Sequence, residues 1–313
     1  MQAPRKPLLA ILVSGALLIV LAVFYVRYFI ARPIGTGPAG PDVPAAPFEA
    51  TWTDRPVVLL GIGDSVTAGL GADSPAHTYF NRLLRPPADE FEDMKGKCLS
   101  RVLPRLSAEN MAMSGTTSDQ HLRVVEEEVE QQPADVFGLV VMTTGGNDLI
   151  HHYGRAAPRE CAMYGATLEQ AEPWIANFEQ RLTRMLSLVS KSFPGGCQIY
   201  LATIYDPTDG VGDAPSIYLP EWPDGLAIHA RYNQVIRRVA AKFPHVVVVD
   251  LYAAFLGHGS HCRQFWRSTY DAEDPYYWYY DNIEDPNDRG YDAIRRAFLN
   301  AIVDNWDASA GED

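Results

Sequence analysis

The sequence is poor in cations. Its 313 residues include 26 Lys and Arg against 39 Asp and Glu, which gives a formal net charge of −13 at pH 7. Residues 1–32 contain four of the cations and no acids, so the rest of the chain carries −17. Because nucleic-acid phosphates need cationic partners, a domain this acidic argues against nucleic-acid binding. The simplest consequence of the charge is solubility.

Cysteine is also scarce, and the sequence lacks internal repeats. The chain has four cysteines, none in a CxxC spacing: Cys98, Cys161, Cys197 and Cys262. An even number of cysteines in an oxidising compartment allows two disulfides, with three possible connectivities. The alternative is that some of them are small buried apolar side chains.

Long apolar runs are lacking except at residues 8–26, where only Ser14 and Gly15 interrupt the pattern. A helix of this length, at about 1.5 Å per residue, spans the roughly 30 Å hydrocarbon layer of a membrane. Arg5 and Lys6 precede the run, which predicts a cytoplasmic N-terminus and export of the remainder. A cleaved signal peptide is the alternative, but its apolar core is usually only about 7–15 residues long. We therefore expect a single-pass protein of the cell membrane with its main domain on the extracytoplasmic side.

The composition divides the chain into four parts. Residues 1–32 form the predicted cytoplasmic tip and transmembrane anchor, 33–54 a linker, 55–308 the main domain and 309–313 a tail. Residues 33–50 are rich in Pro, Gly and Ala without an apolar period, which predicts a semi-extended tether.

Short apolar runs alternate with helical patterns in the main domain. Strands are predicted over 56–62, 108–113, 136–142, 198–204 and 246–249, and helices over 118–131, 167–193, 226–243 and 288–306. Pro173 predicts that the second of these helices becomes regular only at that residue. This alternation predicts a three-layer α/β/α sandwich around a parallel sheet of about five strands. Ligands bind such sheets at the carboxyl ends of the strands.

A glycine-rich segment, residues 61–69, follows the first predicted strand. A dinucleotide-binding G-x-G-x-x-G motif would require a third glycine where Val66 stands. The segment is better explained as a tight strand-to-helix turn that places the Ser65 hydroxyl at a helix N-terminus, where a backbone N–H can stabilise an oxyanion. A helix N-cap serine is the alternative.

Two further segments follow the second and third predicted strands, at residues 110–117 and 143–148. Together with Gly-Asp-Ser at 63–65 they resemble, in order, the first three blocks of the SGNH hydrolase superfamily, also called GDSL-type esterases. The resemblance covers roughly residues 55–306. It implies a flavodoxin-like fold and ester hydrolysis through an acyl-serine intermediate, without a cofactor or metal.

The resemblance also implies roles for particular residues. Ser65 would be the nucleophile. The N–H groups of Ser65 and Gly115 and the side-chain amide of Asn147 would form the oxyanion hole. The alternatives are a turn glycine at Gly115 and a turn-capping amide at Asn147.

The last block departs from the family pattern, which usually has Asp-x-x-His before Pro-Asn. The chain has Pro-Asn at 286–287 but no histidine. Alignment on Pro-Asn puts Asp285 at the position of the histidine, and alignment on Asp281 puts Glu284 there. A carboxyl has an ordinary pKa near about 4 and is a weaker base than imidazole, unless burial or a neighbouring carboxylate raises that pKa.

Histidines elsewhere are alternative bases, although each taken singly is better explained as a surface residue. The candidates are His151, His152, His258 and His261. The segment 257–262 suggests a metal site but lacks a fourth ligand. The aromatic run 276–280 is either a platform for sugar rings and acyl chains or a loop on the core. With the insertion 204–225 it is expected to shape a substrate cleft.

These patterns together predict hydrolysis of a carboxylic (acyl or acetyl) ester on a small molecule, a glycan or a lipid. Two alternatives remain on the same fold. One is a catalytically impaired protein that binds an envelope glycan, and the other is an O-acyltransferase. The sequence does not set the oligomeric state.

Overall fold

Five parallel strands form the central sheet of the computed structural model, which describes residues 5–306 and, from residue 9 onward, their side chains. Their spatial order is β2-β1-β3-β4-β5. This confirms the predicted sheet. The strands are β1 (Val57–Ile62), β2 (Leu106–Asn110), β3 (Phe137–Met142), β4 (Cys197–Ala202) and β5 (Val246–Val249).

The helices lie on both faces of this sheet. One core joins the sheet to α3, α9 and α10, and the other joins it to α7 and α8. Neighbouring strand residues face opposite cores, as Leu59 and Leu60 do, because side chains alternate along a strand. The helices are α1 (Arg5–Tyr25), α2 (Ser65–Ala68), α3 (Tyr79–Leu84), α4 (Leu99–Val102), α5 (Ser118–Glu127), α6 (Gly146–Ile150), α7 (Leu168–Ser192), α8 (Gly225–Ala240), α9 (Leu251–Phe255) and α10 (Asp288–Asn305).

The edge strand β2 departs from its prediction. It begins two residues earlier than expected and ends at Asn110, and most of its residues are exposed. The chain still follows β1 beyond that point, since the N–H groups of Met111 and Met113 donate to the carbonyls of Gly61 and Gly63. An edge strand is covered on fewer sides, so its sequence carries a weaker apolar signal.

Helix α7 begins at Leu168, so the prediction that it becomes regular only at Pro173 was wrong. The Thr167 hydroxyl accepts from the Gln170 N–H at 3.2 Å, and the Gln170 side chain accepts from the Thr167 N–H at 2.9 Å. This reciprocal capping box starts the helix upstream of the proline. Pro173 is exposed, and the carbonyl that loses its intrahelical donor, that of Glu169, belongs to an exposed residue that water can reach.

The apolar N-terminal run forms α1 and continues into a short π-helical turn, Val26–Ile30. Leu9–Ile30 is long and apolar enough to cross a membrane, with a mean hydropathy of 2.8. Its orientation in a membrane, and its retention as an anchor, stay predictions.

The predicted linker packs along the domain. Within 33–50 only Ala46–Phe48 forms a short helical turn. Ala39, Val43 and Phe48 are nonetheless buried in the core that contains α10. The Ala39 N–H donates to Asp292 at 3.1 Å. The predicted domain limits stay predictions, and the tail 309–313 lies outside the described residues.

All four cysteines are free thiols, so neither possible disulfide forms. Three of them, Cys98, Cys197 and Cys262, are buried. The alternative that some cysteines act as small apolar side chains therefore applies.

Candidate active site

Ser65 stands on a tight turn between β1 and α2. It is the first residue of α2, and its neighbour Asp64 is the N-cap, accepting from the Val66 N–H at 3.2 Å. Gly63 has a φ of +153°, and a Cβ there would lie 2.4 Å from the Thr143 hydroxyl oxygen. The turn thus presses against the end of β3, where only glycine fits. Because Asp64 caps the helix, the Ser65 hydroxyl is not needed as the cap.

The resemblance assigns an oxyanion hole to three neutral donors, the N–H groups of Ser65 and Gly115 and the side-chain amide of Asn147. Among the described residues, the N–H groups of Ser65 and Gly115 have no acceptor. Gly115 is exposed, with a φ of +80°. The Asn147 amide donates one proton to the carbonyl of Thr116 at 2.8 Å, which leaves its second proton for a ligand. Gly115 and Asn147 line the same pocket, and Glu284 forms part of its wall.

His121 connects the two loops that carry Gly115 and Asn147. Its Nε2 lies 2.8 Å from the Thr116 hydroxyl and its Nδ1 lies 2.8 Å from the Thr144 hydroxyl. Burial lowers the pKa of His121 to about 4, against a smaller opposing effect of Asp119. The ring is therefore neutral at neutral pH, donating through one nitrogen and accepting through the other. This role was missed, because in the sequence His121 is one polar residue within an acidic helix.

Asp148, the last residue of the third block, is a structural carboxylate. It is fully buried and accepts from the Ser118 N–H at 2.7 Å and from the Ser118 hydroxyl at 2.5 Å. The Tyr232 hydroxyl donates to it at 3.2 Å. These bonds tie α6 to α5 and α8 and so fix Asn147, one residue earlier. In the second block, Asn110 has a similar function, since its amide donates to the carbonyl of Thr67 at 2.9 Å.

Asp285 is the carboxyl that the fold brings to Ser65. It is 1% exposed, and burial raises its pKa. Hydrogen bonding by the Ser65 side chain and by Asn282 opposes that rise. Asn282 donates to Oδ2 at 2.6 Å, whereas Oδ1 is buried and, within residues 9–306, has no partner at full hydrogen-bond geometry. The Ser65 contact is therefore a loose one, as contacts between a nucleophile and its base often are before substrate binds.

Glu284 forms part of the pocket wall beside this pair. The hydroxyl of Tyr153 donates to its carboxylate, and that of Tyr205 donates to its backbone carbonyl at 2.6 Å. Burial raises the pKa of Glu284 to about 7, the Tyr153 bond lowers it, and the charges of Asp285 and Asp64 raise it further. Burial likewise raises the pKa of Asp64 to about 6, although the Thr143 hydroxyl bonded to it acts in the opposite direction. Three carboxyls of raised pKa thus share one site.

None of the eight histidines, all of which are described, hydrogen bonds to Ser65. His151 and His152 line the pocket of Gly115, with their ring centroids 4.4 Å apart. His258 and His261 are buried, not at the surface as expected. His258 stacks on Trp278 at 3.5 Å, and His261 Nε2 lies 2.9 Å from Asp213.

The segment 257–262 does not assemble a metal site. Within the part of the chain that the structure describes, its histidines and Cys262 do not bring three ligand atoms together.

The aromatic run 276–280 packs mainly into the protein, with Tyr277, Trp278 and Tyr279 buried and Tyr280 exposed. For those three side chains the prediction of a loop on the core is confirmed, and the ligand platform is not formed.

An apolar cavity extends from the site between the ends of β3 and β4 and the insertion 204–225. Its polar walls include Asp64, Asn147 and Glu284. Apolar side chains form most of its surface, among them Leu149, Ile150, Ile204, Ile217, Leu219 and Trp222. The insertion 204–225 therefore lines this cavity, as predicted, whereas no residue of the aromatic run 276–280 does.

Fold and site together define a three-layer α/β protein whose functional residues gather at the carboxyl edge of a parallel sheet. The chain belongs to the GDSL-like lipase/acylhydrolase family, whose model matches residues 62–293. Membership supports ester hydrolysis in general. Comparison with curated protein sequences finds no match.

A solved esterase structure shows the same fold. A point mutant of an acetyl-xylooligosaccharide esterase from Geobacillus stearothermophilus is 19% identical, with a TM-score of 0.51 over 82% of this chain and 98% of that one. The lipase Lip_vut3 from a goat rumen metagenome is 18% identical (TM-score 0.48; 78% and 97% covered). A lipase/acylhydrolase from Enterococcus faecalis is also 18% identical (TM-score 0.46; 80% and 96% covered).

Proposed function

We propose that this protein hydrolyses carboxylic esters through an acyl intermediate on Ser65, with Asp285 as the general base. The observation that carries the proposal is the contact between the Ser65 hydroxyl and the buried Asp285 carboxyl. No histidine of the chain hydrogen bonds to Ser65, whereas the Ser65 side chain lowers the pKa of Asp285, so we propose Asp285 as the base.

The reaction follows from the arrangement of these groups. Asp285 accepts the Ser65 proton while Oγ bonds to the carbonyl carbon of the ester. The resulting oxyanion receives hydrogen bonds from the N–H groups of Ser65 and Gly115 and from the Asn147 amide. When the tetrahedral intermediate collapses, the C–O bond to the alcohol breaks and the alcohol oxygen takes the proton from Asp285. Asp285 then takes a proton from a water molecule as the water oxygen attacks the acyl carbon. The bond between this carbon and Ser65 Oγ breaks, Oγ takes the proton back from Asp285, and the acid is released.

Burial makes a carboxylate a better base. An exposed aspartate, with a pKa near 4, is a poor proton acceptor from a hydroxyl, and each unit by which the pKa rises is worth about 1.4 kcal/mol of proton affinity. The raised pKa of Asp285 therefore reduces the disadvantage against imidazole. The neighbouring Glu284, with a pKa of about 7, is the second candidate base.

The cavity indicates which part of the ester is recognised. Its predominantly apolar walls suit an acyl chain longer than acetyl, because burying apolar surface is favourable by about 25 cal/mol per Å². The alcohol portion, a carbohydrate or a lipid, would remain toward the exposed Gly115 side.

We further propose that α1 anchors the protein in the cell membrane as a single-pass helix, with the catalytic domain on the extracytoplasmic side.

The test uses the full chain in detergent micelles with p-nitrophenyl acetate, butyrate and octanoate. Release of p-nitrophenol should require Ser65, so S65A should be inactive, while the matched variant S114A, at an exposed serine, should retain activity. A folded wild type that binds but does not cleave any ester would instead favour the impaired binding protein. Transfer of the acyl group to an added sugar in preference to water would favour the O-acyltransferase.

A further inference from the structure

An exposed aromatic loop packs against the outer end of the apolar helix. The loop consists of residues 263–267, and its Phe265 and Trp266 side chains are 57% and 45% exposed. Trp266 stacks on Phe24 with ring centroids 5.8 Å apart, and Phe265 meets Tyr28 edge-on at 5.6 Å. The Gln264 amide donates to the carbonyl of Tyr28 at 3.2 Å. The catalytic domain therefore holds the end of the span directly.

A second set of contacts limits rotation at the same junction. The Arg32 guanidinium donates to the carbonyl of Ser216. It also lies over the rings of Tyr218 and Tyr277, 5.4 Å from each centroid. The Tyr277 N–H donates to the carbonyl of Pro33 at 2.8 Å. Helix and domain are thus joined on both sides of residue 30, without a free tether between them.

The length of the span sets the depth of the loop. Leu9–Ile30 contains 22 residues, or about 33 Å of helix against a hydrocarbon layer of about 30 Å. When the helix spans the bilayer, Tyr28 therefore lies near the membrane–water interface, and Phe24, four residues earlier, lies about 6 Å deeper. Phe265 packs against Tyr28, and Trp266 packs against both Tyr28 and Phe24, so these two side chains lie between the interface and the outer part of the hydrocarbon layer.

The composition of the loop fits that interface. Trp and Tyr concentrate at membrane–water interfaces, where an apolar ring with a polar edge is stable. Residues 251–270 contain two arginines, Arg263 and Arg267, and no acids, in a domain that is otherwise strongly acidic. Arg27, on the span itself, adds a third cation at this end. Such cations complement lipid phosphates.

We propose that the aromatic loop is a second membrane contact, inserted into the interface of the phospholipid bilayer that α1 crosses. It fixes the orientation of the catalytic domain on the membrane surface. This inference rests on the proposed transmembrane anchor and does not depend on the proposed ester hydrolysis.

The experiment measures tryptophan fluorescence of the full chain in phosphatidylcholine–phosphatidylglycerol vesicles, with plain or dibrominated acyl chains. Bromine quenches only nearby tryptophans. The wild type should lose a measurable fraction of its emission in brominated vesicles. The fraction that W266F loses should be at most half as large. The matched variant is W306F, because Trp306 packs against Phe137, at the amino end of the central strand β3. It should be quenched like the wild type.

Three results would overturn the inference. The first is equal quenching of the wild type and W266F in protein that resists carbonate extraction. The second is bromine-insensitive Trp266 emission in a chain that crosslinks as a dimer through this loop, which would assign the surface to a second copy. The third is release of the chain by carbonate, which would remove the anchor itself. Activity of W266F on a soluble ester, measured in parallel, tests the proposed function separately.

Discussion

The Ser65 hydroxyl lies in loose contact with the buried carboxyl of Asp285, which stands where the pattern of the family usually has a histidine. Asp285 precedes Pro286 and Asn287, and the Asn287 side chain caps α10 by accepting from the Gly290 N–H at 3.0 Å. The capped helix fixes this block against the turn that carries Ser65. Of the two possible alignments, the fold thus favours the one on Pro-Asn.

Removing the charge of Asp285 should abolish most of the activity. D285N keeps the size of the side chain but cannot accept the Ser65 proton, so kcat should fall by about 10²–10⁴. Because burial raises the pKa of Asp285, the wild-type kcat should be lost as pH falls through that raised pKa. E284Q and H152A serve as matched variants and should retain more than a tenth of kcat. A kcat that falls with E284Q and survives D285N would move the base to Glu284.

Substitution of Asn147 should change kcat more than it changes KM. In N147A the loss of one oxyanion donor should lower kcat by about 10²–10³ with little change in KM. N300A is the matched control, since the Asn300 amide also donates to a backbone carbonyl, that of Asp42, but outside the pocket. Equal kcat values for N147A and N300A would argue against an oxyanion hole at Asn147. Steady-state kinetics of both variants on one soluble ester distinguishes these two outcomes.

Asp64 should make stability depend on pH. Its pKa is about 6 in the folded protein and near 4 when unfolded, so the folded state holds the proton more tightly. Stability from this source is complete below pH 4 and is lost as pH rises through 6, by roughly 3 kcal/mol. Asn at this position keeps an acceptor for Val66 and Thr143. D64N should therefore melt at a higher temperature than the wild type at pH 7.5.

The matched measurements for Asp64 are melting curves in detergent at pH 4 and pH 7.5. The advantage of D64N should shrink at pH 4, where the wild-type carboxyl is protonated. D135N, at an exposed aspartate, should melt like the wild type at both values. A D64N protein that is less stable than the wild type at pH 7.5 would show that the charged carboxylate is stabilising.

The apolar cavity should determine which length of acyl chain the enzyme prefers. I204W fills part of it, so kcat/KM for p-nitrophenyl octanoate should fall by at least tenfold while acetate hydrolysis changes little. I34W adds the same ring at an exposed site outside the cavity and should leave both values unchanged. Parallel loss on acetate and octanoate in I204W would place the acyl chain elsewhere.

The sequence predicts the parts of this protein whose signal is local. The apolar runs of β1 and β3 are buried on both faces, so their composition alone indicates them. Ser65, Gly115 and Asn147 follow strand ends, and parallel strands necessarily bring such residues to one edge. The bounds of the edge strand β2 were misplaced because its exposed residues give a weak apolar signal. The start of α7 was misplaced because a capping box outweighs the effect of the proline.

The rest of the site depends on contacts between distant segments. The choice between Glu284 and Asp285 requires knowing which carboxyl reaches Ser65, more than 200 residues away in sequence. The brace at His121 joins two loops through threonine hydroxyls, and no spacing rule marks such a pair. The aromatic loop is likewise recognisable only once Trp266 is seen against Phe24.

The most direct test of the central claim is the rate at which a fluorophosphonate probe labels Ser65. The probe reacts only with an activated serine, and peptide mass spectrometry locates it. We predict labelling at Ser65 in the wild type, faster as pH rises through the pKa of Asp285, and at least about 100-fold slower in D285N. Absence of label at Ser65 in folded protein across a wide pH range would contradict the hydrolase, and equal rates in D285N would contradict its base.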